Sequence, residues 1–490
     1  MALRSISACS FCHRVLVVKT TLRGMSAAAK LQPLTDVLKG EPHRKHPGVS
    51  NLKTLRLPDK LHAAARSIIH RAQIKGLDEK AQDLVHFLWS RKRKVEDKAL
   101  RQKALNLERE LWSKATENNK GADELLLEER IQKKVLSELK RTTYHWRQLK
   151  FDEEMGVVYM AARLAGGYAA VRRALNEIKT RDESFAPESL LDFGSGLGTV
   201  AWASHSCWPD SLKEMVCVDS SGPMNSVAER LLKGDEETQE PHLKHVYFRQ
   251  FLPVTPKVQF DLVAAAFTLS ELAKASDRED VVFTLWRKTH KYLVLVENGT
   301  KEGHQMLMEA RDALLNKQEK FVLDSRPASV FAPCPHDVAC PKLAQKPLLP
   351  CSFQQRYHTL SLPGQINHLT EKFSYVILTR AAPGDSSVNP GLKPGLDSGL
   401  DSGLDSGLDS GLDSGLDSGL DSGLDWARLI APVQPRTRHV HCRMCCSDGQ
   451  LHHMIVTPRK HGRDVYRCAR SSDWGDRVPL VQTTEEDGES

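Results

Sequence analysis

The stretch LLDFGSGLGT, residues 190–199, narrows the choice of fold more than any other part of this 490-residue chain. An apolar strand runs into three glycines, Gly194, Gly196 and Gly198, and then into the start of a helix. Glycines let the backbone turn sharply and come close to a ligand. Downstream, EMVCVDSS reads as a second strand ending in Asp219, PMNSVAERLLK as a helix and HVYFRQF as a third strand. FDLVAAAFTLSEL reads as a fourth strand with a helix at about 277–289. KYLVLVENGT is a fifth, with a helix at 302–318, and FSYVILTR, 373–380, is a late strand. Strands alternating with helices predict an α/β chain with a parallel, doubly wound sheet. The near-continuous apolar strands are those of a sheet covered on both faces.

Around this core the texture changes. Residues from about 55 to 180 read as helix, with spaced apolar residues among charges of both signs. Ala161, Ala165, Gly166 and Ala169 form a small-residue stripe suited to close packing. A GLDS tetrapeptide repeat fills about 395–425; it is acidic and nearly free of bulky residues, and reads as a disordered insertion. The tail carries Cys442, Cys445, Cys446 and Cys468, and GQLHHMIVTPRKHGRDVYRCA reads as two strand-like runs around a basic turn. These shifts predict a leader at 1–25, a helical N-terminal region at 26–150, the doubly wound domain at 151–380 with a Cys-rich loop at 331–353, the repeat segment at 381–425, and a small β-rich C-terminal unit at 426–490.

The first thirty residues hold five Lys or Arg, many Ser and small residues, and no acid before Asp36. That is the composition of a mitochondrial transit peptide, and it places the mature chain in the matrix. A secretory signal would need a longer apolar centre. No stretch approaches the ~20 apolar residues of a membrane span. The formal charge of +7 permits an RNA partner without demanding one. A reducing matrix makes clustered cysteines point to metal ligation rather than disulfides.

The glycine turn gains weight from Asp219, about twenty residues on at the end of the next strand, where a carboxylate accepts ribose hydroxyls. A nicotinamide dinucleotide would prefer glycine at the sixth position of the loop, which is Thr199. The G-x-G-x-G form, with FDLVAAA as the fourth strand, resembles the Rossmann-type S-adenosylmethionine-dependent methyltransferases over about 150–380. The resemblance implies a seven-stranded sheet with FSYVILTR inserted antiparallel. It places the donor over Gly194, Gly196 and Gly198, Asp219 on its ribose, and Gln250 near its adenine. No acceptor-site tetrad of the amino-methylating enzymes follows the fourth strand, where Phe267, Thr268, Leu269 and Ser270 stand. Glu271 and Glu297 are candidate proton acceptors or caps at the ligand edge of the sheet. No catalytic residue is assigned.

FAPCPHDVACPKLAQKPLLPCSF, 331–353, spaces Cys334, Cys340 and Cys351 among prolines. Three thiols need a fourth for a [4Fe–4S] cluster or a tetrahedral zinc, and HCRMCC in the tail can supply it. One centre would then clip the tail to the doubly wound domain. His336 and His441 keep zinc open as the metal. CPHDVACP and CSF, together with LLDFGSGLGT, ARLAGGYAAVRRAL and YRCARSSDWGD, resemble the methyltransferase-like family that assembles the small subunit of the mitochondrial ribosome. That resemblance spans about 50–475 apart from the repeat. It implies a [4Fe–4S] cluster on Cys334, Cys340, Cys351 and Cys445, with Cys442 next in order and Cys446 and Cys468 after it. It also implies small-subunit rRNA and other assembly factors as partners, in place of methyl transfer. The tracts RHVHCRMC and TPRKHGRDVYRCAR interleave cations with rings, and the N-terminal SRKRK adds a run of cations, as RNA contacts do.

Overall fold

A computed structural model describes residues 31–33 and 43–482, apart from 119–123, 235–239, 254, 256, 317–323, 325, 361–365 and 381–425. The leader at 1–25 and the repeat segment at 381–425 lie outside the described residues. The N-terminal part holds β1 (Leu31–Pro33), α1 (Asp59–Ala72), α2 (Leu77–Ser90), α3 (Asp97–Asn118), α4 (Glu124–Thr142) and α5 (Glu153–Arg181). Helix α1 buries Leu61, Ala64, Ala65, Ile68 and Ile69, a three-and-four spacing that forms one apolar stripe. Helix α5 starts at an Asp152 cap, whose side chain accepts the Met155 N–H at 2.8 Å. It is buried along most of its length. Gly166 is required there: a Cβ would run into the Glu371 carboxylate and crowd the Tyr357 hydroxyl.

The central part runs β2 (Ser189–Phe193), α6 (Thr199–Cys207), β3 (Glu214–Val218), α7 (Gly222–Leu232), β4 (Val246–Arg249), β5 (Phe260–Ala266), α8 (Ala275–Arg287), β6 (Thr289–Asn298), α9 (Lys301–Asn316), β7 (Ala328–Ala332), β8 (Phe353–His358) and β9 (His368–Arg380). The sheet order is β4-β3-β2-β5-β6-β9-β7, with β8 also on β9. β2 to β6 are parallel, and β9 is antiparallel to β6. This is the Rossmann-type methyltransferase sheet, with the late strand inserted antiparallel. Alternate residues feed two cores: Leu190, Leu262 and Val294 face one, Leu191, Val263 and Leu293 the other.

Among the described residues the sheet has eight strands, not seven. β9 is thirteen residues long. Its C-terminal half pairs with β7 and its N-terminal half with β8, so the chain leaving the Cys-rich loop re-enters the sheet. Phe353, Gln355 and Tyr357 alternate inward, a period-two signal.

The C-terminal part holds β10 (Ala427–Leu429), β11 (Gln434–Pro435), β12 (Val440–Cys445), β13 (Leu451–Val456), α10 (Pro458–His461), α11 (Arg463–Ser471), β14 (Arg477–Val478) and β15 (Leu480–Gln482). Its sheet, β11-β12-β10-β14 with β13 on β12, encloses its own small core. The run VYRCA, expected as a strand, lies in α11. Val465, Cys468 and Ala469 are buried at three-and-four spacing while Arg463, Arg467 and Arg470 face solvent, and that pattern closes only on a helix.

Candidate functional site

The glycine turn does what its position after β2 demands. Gly194, Gly196 and Gly198 take φ of 70°, 51° and 70°, left-handed values that glycine adopts without strain. Gly194 and Gly196 line a cleft of about 660 Å³ at the C-terminal edge of the sheet; Gly198 instead caps α6. Gln250 and Asp219 line the same cleft. Asp219 already holds the loop: its Oδ2 accepts the Gly196 N–H at 2.9 Å and its Oδ1 the Ser221 N–H at 2.8 Å. Burial pushes its carboxyl above the ordinary carboxylate range and these two bonds oppose the rise. Each oxygen retains a lone pair for a ribose hydroxyl. The cleft therefore fits an adenosyl donor in size, loop geometry and acceptor chemistry.

Asp192 and Arg163 were not singled out in the sequence, and Arg91, read there as part of the basic SRKRK tract, is buried in an ion pair and not on a free surface. Asp192, inside β2, is fully buried with neither carboxylate oxygen hydrogen-bonded among the described residues. Burial, and then the Asp219 charge, push it well above the ordinary carboxylate range, so it is held protonated. A lone acid in an apolar strand was its signal. Arg163 of α5 binds Glu371 at 2.9 Å and Asn298 at 3.0 Å and lies over the Phe267 ring on the cleft wall. Arg91, just past α2, pairs with Glu271 and donates to the Arg147 carbonyl at 2.9 Å, against the Trp146 ring. With Leu88, Leu149 and Phe151 it brings the N-terminal helices onto the cleft. Glu271 thus lines the cleft as an ion-pair partner. Glu297 lies buried and accepts the Ser270 N–H at 3.0 Å. Burial pushes Glu297 up to about 7.

The second site is the cysteine cavity. Cys334, Cys340 and Cys351 of the proline-rich loop and Cys445 of β12 line one small cavity, with Lys342 and Arg428. Strand parity brings Cys445 there. Val440, Cys442 and Met444 point into the C-terminal core, and Cys445 points the other way. Cys446 also lies in that core, and Cys468 is buried on α11. His336 reaches Cys445 Sγ with Nε2 at 3.3 Å, and His304 lies 3.8 Å from Cys340 Sγ. His441 does not reach the cavity; it contacts His453 on the outer face of the hairpin. Burial drives all four thiols toward the protonated form, Cys334 to about 12 and Cys351 to about 11, so thiolates form there only beside strong positive charge. No three His, Cys, Asp or Glu among the described residues are grouped to hold a metal ion.

The tail is also bolted down without sulfur. Arg428 of β10 makes a two-pronged ion pair with Glu177 of α5, at 2.8 and 3.0 Å, and donates to the Pro333 carbonyl at 2.9 Å. Arg173 and Tyr375 add contacts to Glu177 at 3.1 and 3.0 Å. Asp476 accepts the Ser50 and Asn51 N–H groups at 2.9 and 3.1 Å.

A family model described as mitochondrial small ribosomal subunit Rsm22 matches residues 153–479, from the start of α5 through β14. The chain belongs to the Rsm22 family. A human relative of this Rsm22-family chain, the mitochondrial ribosome assembly protein METTL17, is 45% identical over 444 residues, covering 91% of this chain and 87% of that protein. The Rsm22-cox11 tandem proteins 1 and 2 of Schizosaccharomyces pombe, also mitochondrial, are each 27% identical over 345 residues. The match covers 67% of this Rsm22-family chain and 44% of theirs. Among solved structures, the magnesium protoporphyrin IX methyltransferase of Synechocystis with bound S-adenosylhomocysteine aligns at 12% identity and TM-score 0.27, over 53% of this chain and 100% of that one. A ribosomal protein L11 methylase of Lactobacillus delbrueckii aligns at 12% and 0.25, over 43% and 79%. No helix among the described residues is long and apolar enough to cross a membrane.

Proposed function

We propose that this chain is a matrix-resident assembly factor of the mitochondrial small ribosomal subunit. In this reading it holds immature small-subunit rRNA, takes S-adenosylmethionine in the cleft over Gly194, Gly196 and Asp219, and carries a [4Fe–4S] cluster on Cys334, Cys340, Cys351 and Cys445. The observation that carries it is the convergence of those four thiols, from segments more than ninety residues apart, on one cavity at the junction of the main sheet and the tail. Family membership and the likeness to a human ribosome assembly protein support the ribosomal setting.

The donor set suits a cluster better than zinc. A single zinc, with Zn–S near 2.3 Å, draws its sulfurs to within about 4 Å of one another. A cubane takes one thiolate on each of four irons and spans a wider set. The irregular spacing of Cys334, Cys340 and Cys351 among prolines, wider than the paired knuckles of zinc ribbons, favours the cluster. When bound, the cluster would supply a four-point covalent brace between loop 333–351 and β12, added to the Arg428–Glu177 pair. The protein's own part is to bury the thiols, hold the loop through Arg311 bonds to the His336 and Val338 carbonyls at 3.0 and 2.7 Å, and exclude water.

Anaerobic purification with iron, sulfide and zinc analysis tests this reading. Broad absorbance near ~400 nm with iron and sulfide, lost in Cys340→Ser, supports it; a colourless protein with stoichiometric zinc overturns the cluster. A second reading, active rRNA methyl transfer, draws on the cleft and on Glu271 at its wall. Transfer of radiolabelled methyl groups to small-subunit rRNA, abolished by Asp219→Ala, would establish it.

A further inference from the structure

The face of β12 that carries Cys445 into the cavity does not end there. The same parity puts Arg443 and His441 on the continuing outer face, across β13 from His453 and Ile455 respectively. His441 Nδ1 lies 3.1 Å from His453 Nε2, and the two rings stack at 5.2 Å with a 20° tilt. His439 adds an edge-on ring 5.0 Å from His441. Arg443 and His453 are exposed, and Ile455 is 47% exposed. At the turn before β12, Arg436 and Arg438 are exposed as well. Residues 426–482 hold ten Lys and Arg against four acids. Such an excess selects a polyanionic partner.

We propose that this outer face of β12–β13 is a stacking platform for single-stranded RNA, with His441 and His453 receiving bases and Arg443, Arg436 and Arg438 the phosphates. The inference rests on the assembly-factor reading and sharpens it by naming the surface and the strandedness of the partner. Flat rings on a sheet face stack unpaired bases, whereas a duplex presents only its backbone and grooves. Desolvation and the neighbouring imidazoles hold His441 below its usual range, so it serves as a neutral ring and the arginines carry the charge. Because Cys445 and Arg443 share one strand face, whatever fixes Cys445 also fixes the platform relative to the main sheet.

The test is fluorescence anisotropy of the full anaerobically purified chain with a short labelled oligouridine and, separately, a duplex of equal length. His441→Ala/His453→Ala is expected to weaken oligouridine binding ~10–100-fold with unchanged salt dependence, and duplex binding little. His441→Phe/His453→Phe should restore it. Arg443→Gln should lower the slope of log affinity against log salt by about 0.7. Unchanged urea midpoints and ~400 nm absorbance certify the fold of each variant. Parent-like oligouridine binding by the alanine pair overturns the platform, as does an equal loss on duplex or failure of the phenylalanine pair to rescue. If the parent binds small-subunit rRNA and the alanine pair binds it identically, only this inference falls. If the parent binds neither RNA, the assembly-factor reading falls with it.

Discussion

Arg428 on β10 lies directly across from Cys445 on β12, and both side chains turn away from the C-terminal core toward the main sheet. One reaches Glu177 on α5; the other reaches the cavity of Cys334, Cys340 and Cys351. A two-residue ladder position thus aims an ion pair and a sulfur at the same seam. Arg428 also donates to the carbonyl of Pro333, the neighbour of Cys334, so the guanidinium positions the loop as well as the tail.

Arg428→Ala should cost about 3–5 kcal/mol, because it breaks a buried pair. Arg173 and Arg181 still face Glu177, so that carboxylate keeps some compensation. The expected signature is a lower urea midpoint and faster amide exchange across residues 440–445, measured by mass spectrometry. An unchanged midpoint would mean that the seam does not depend on this pair.

Strand parity separates two neighbouring cysteines. Cys445→Ser should abolish the ~400 nm absorbance of anaerobically purified protein. Cys442→Ser should keep it and instead lower the urea midpoint, since Cys442 is fully buried in the apolar tail core. The reverse pattern would show that β12 presents its other face to the loop.

Asp219→Asn should weaken donor binding by ~5–150-fold, the equivalent of losing one well-placed hydrogen bond and leaving an N–H unsatisfied. An amide oxygen accepts from only one direction of the side chain, so either Gly196 N–H or Ser221 N–H loses its partner. Titration calorimetry with S-adenosylhomocysteine reads this directly. Equal affinities would place the donor away from the glycine turn.

Glu297 predicts a pH dependence of stability. Its carboxyl is pushed from 4.5 up to about 7, chiefly by burial. Below about pH 4.5 the group is neutral folded and unfolded, and burial is unopposed. Between about 4.5 and 7 only the unfolded chain ionises it, so its contribution is lost as pH rises, by at most about 3 kcal/mol. Glu297→Gln should therefore gain on the parent between pH 5 and 8 in paired urea titrations, and a constant difference across that range would contradict the assignment.

Much of the cleft was legible. Three glycines between an apolar strand and a helix, with an acid closing the next strand, admit few backbone paths, and the φ values at Gly194, Gly196 and Gly198 follow. The tail was less so: RDVYRCARS has strand-forming residues, and only the solvent–core partition at Val465, Cys468 and Ala469 makes it helical. The eighth strand was hidden because β8 has no partner until β9 proves long enough to serve two.

The sequence by itself determined the α/β class, the glycine turn and the cysteine-bearing loop. These are short-range matters, governed by steric freedom at glycine and by the period of apolar residues. Tertiary structure alone decided which face of β12 meets the main sheet and that Arg428 finds Glu177 251 residues away. It also decided that Arg91 brings the N-terminal helices onto the cleft. Charges compensate across whatever surfaces the chain brings together, and a lone arginine or glutamate carries no local mark of its distant partner.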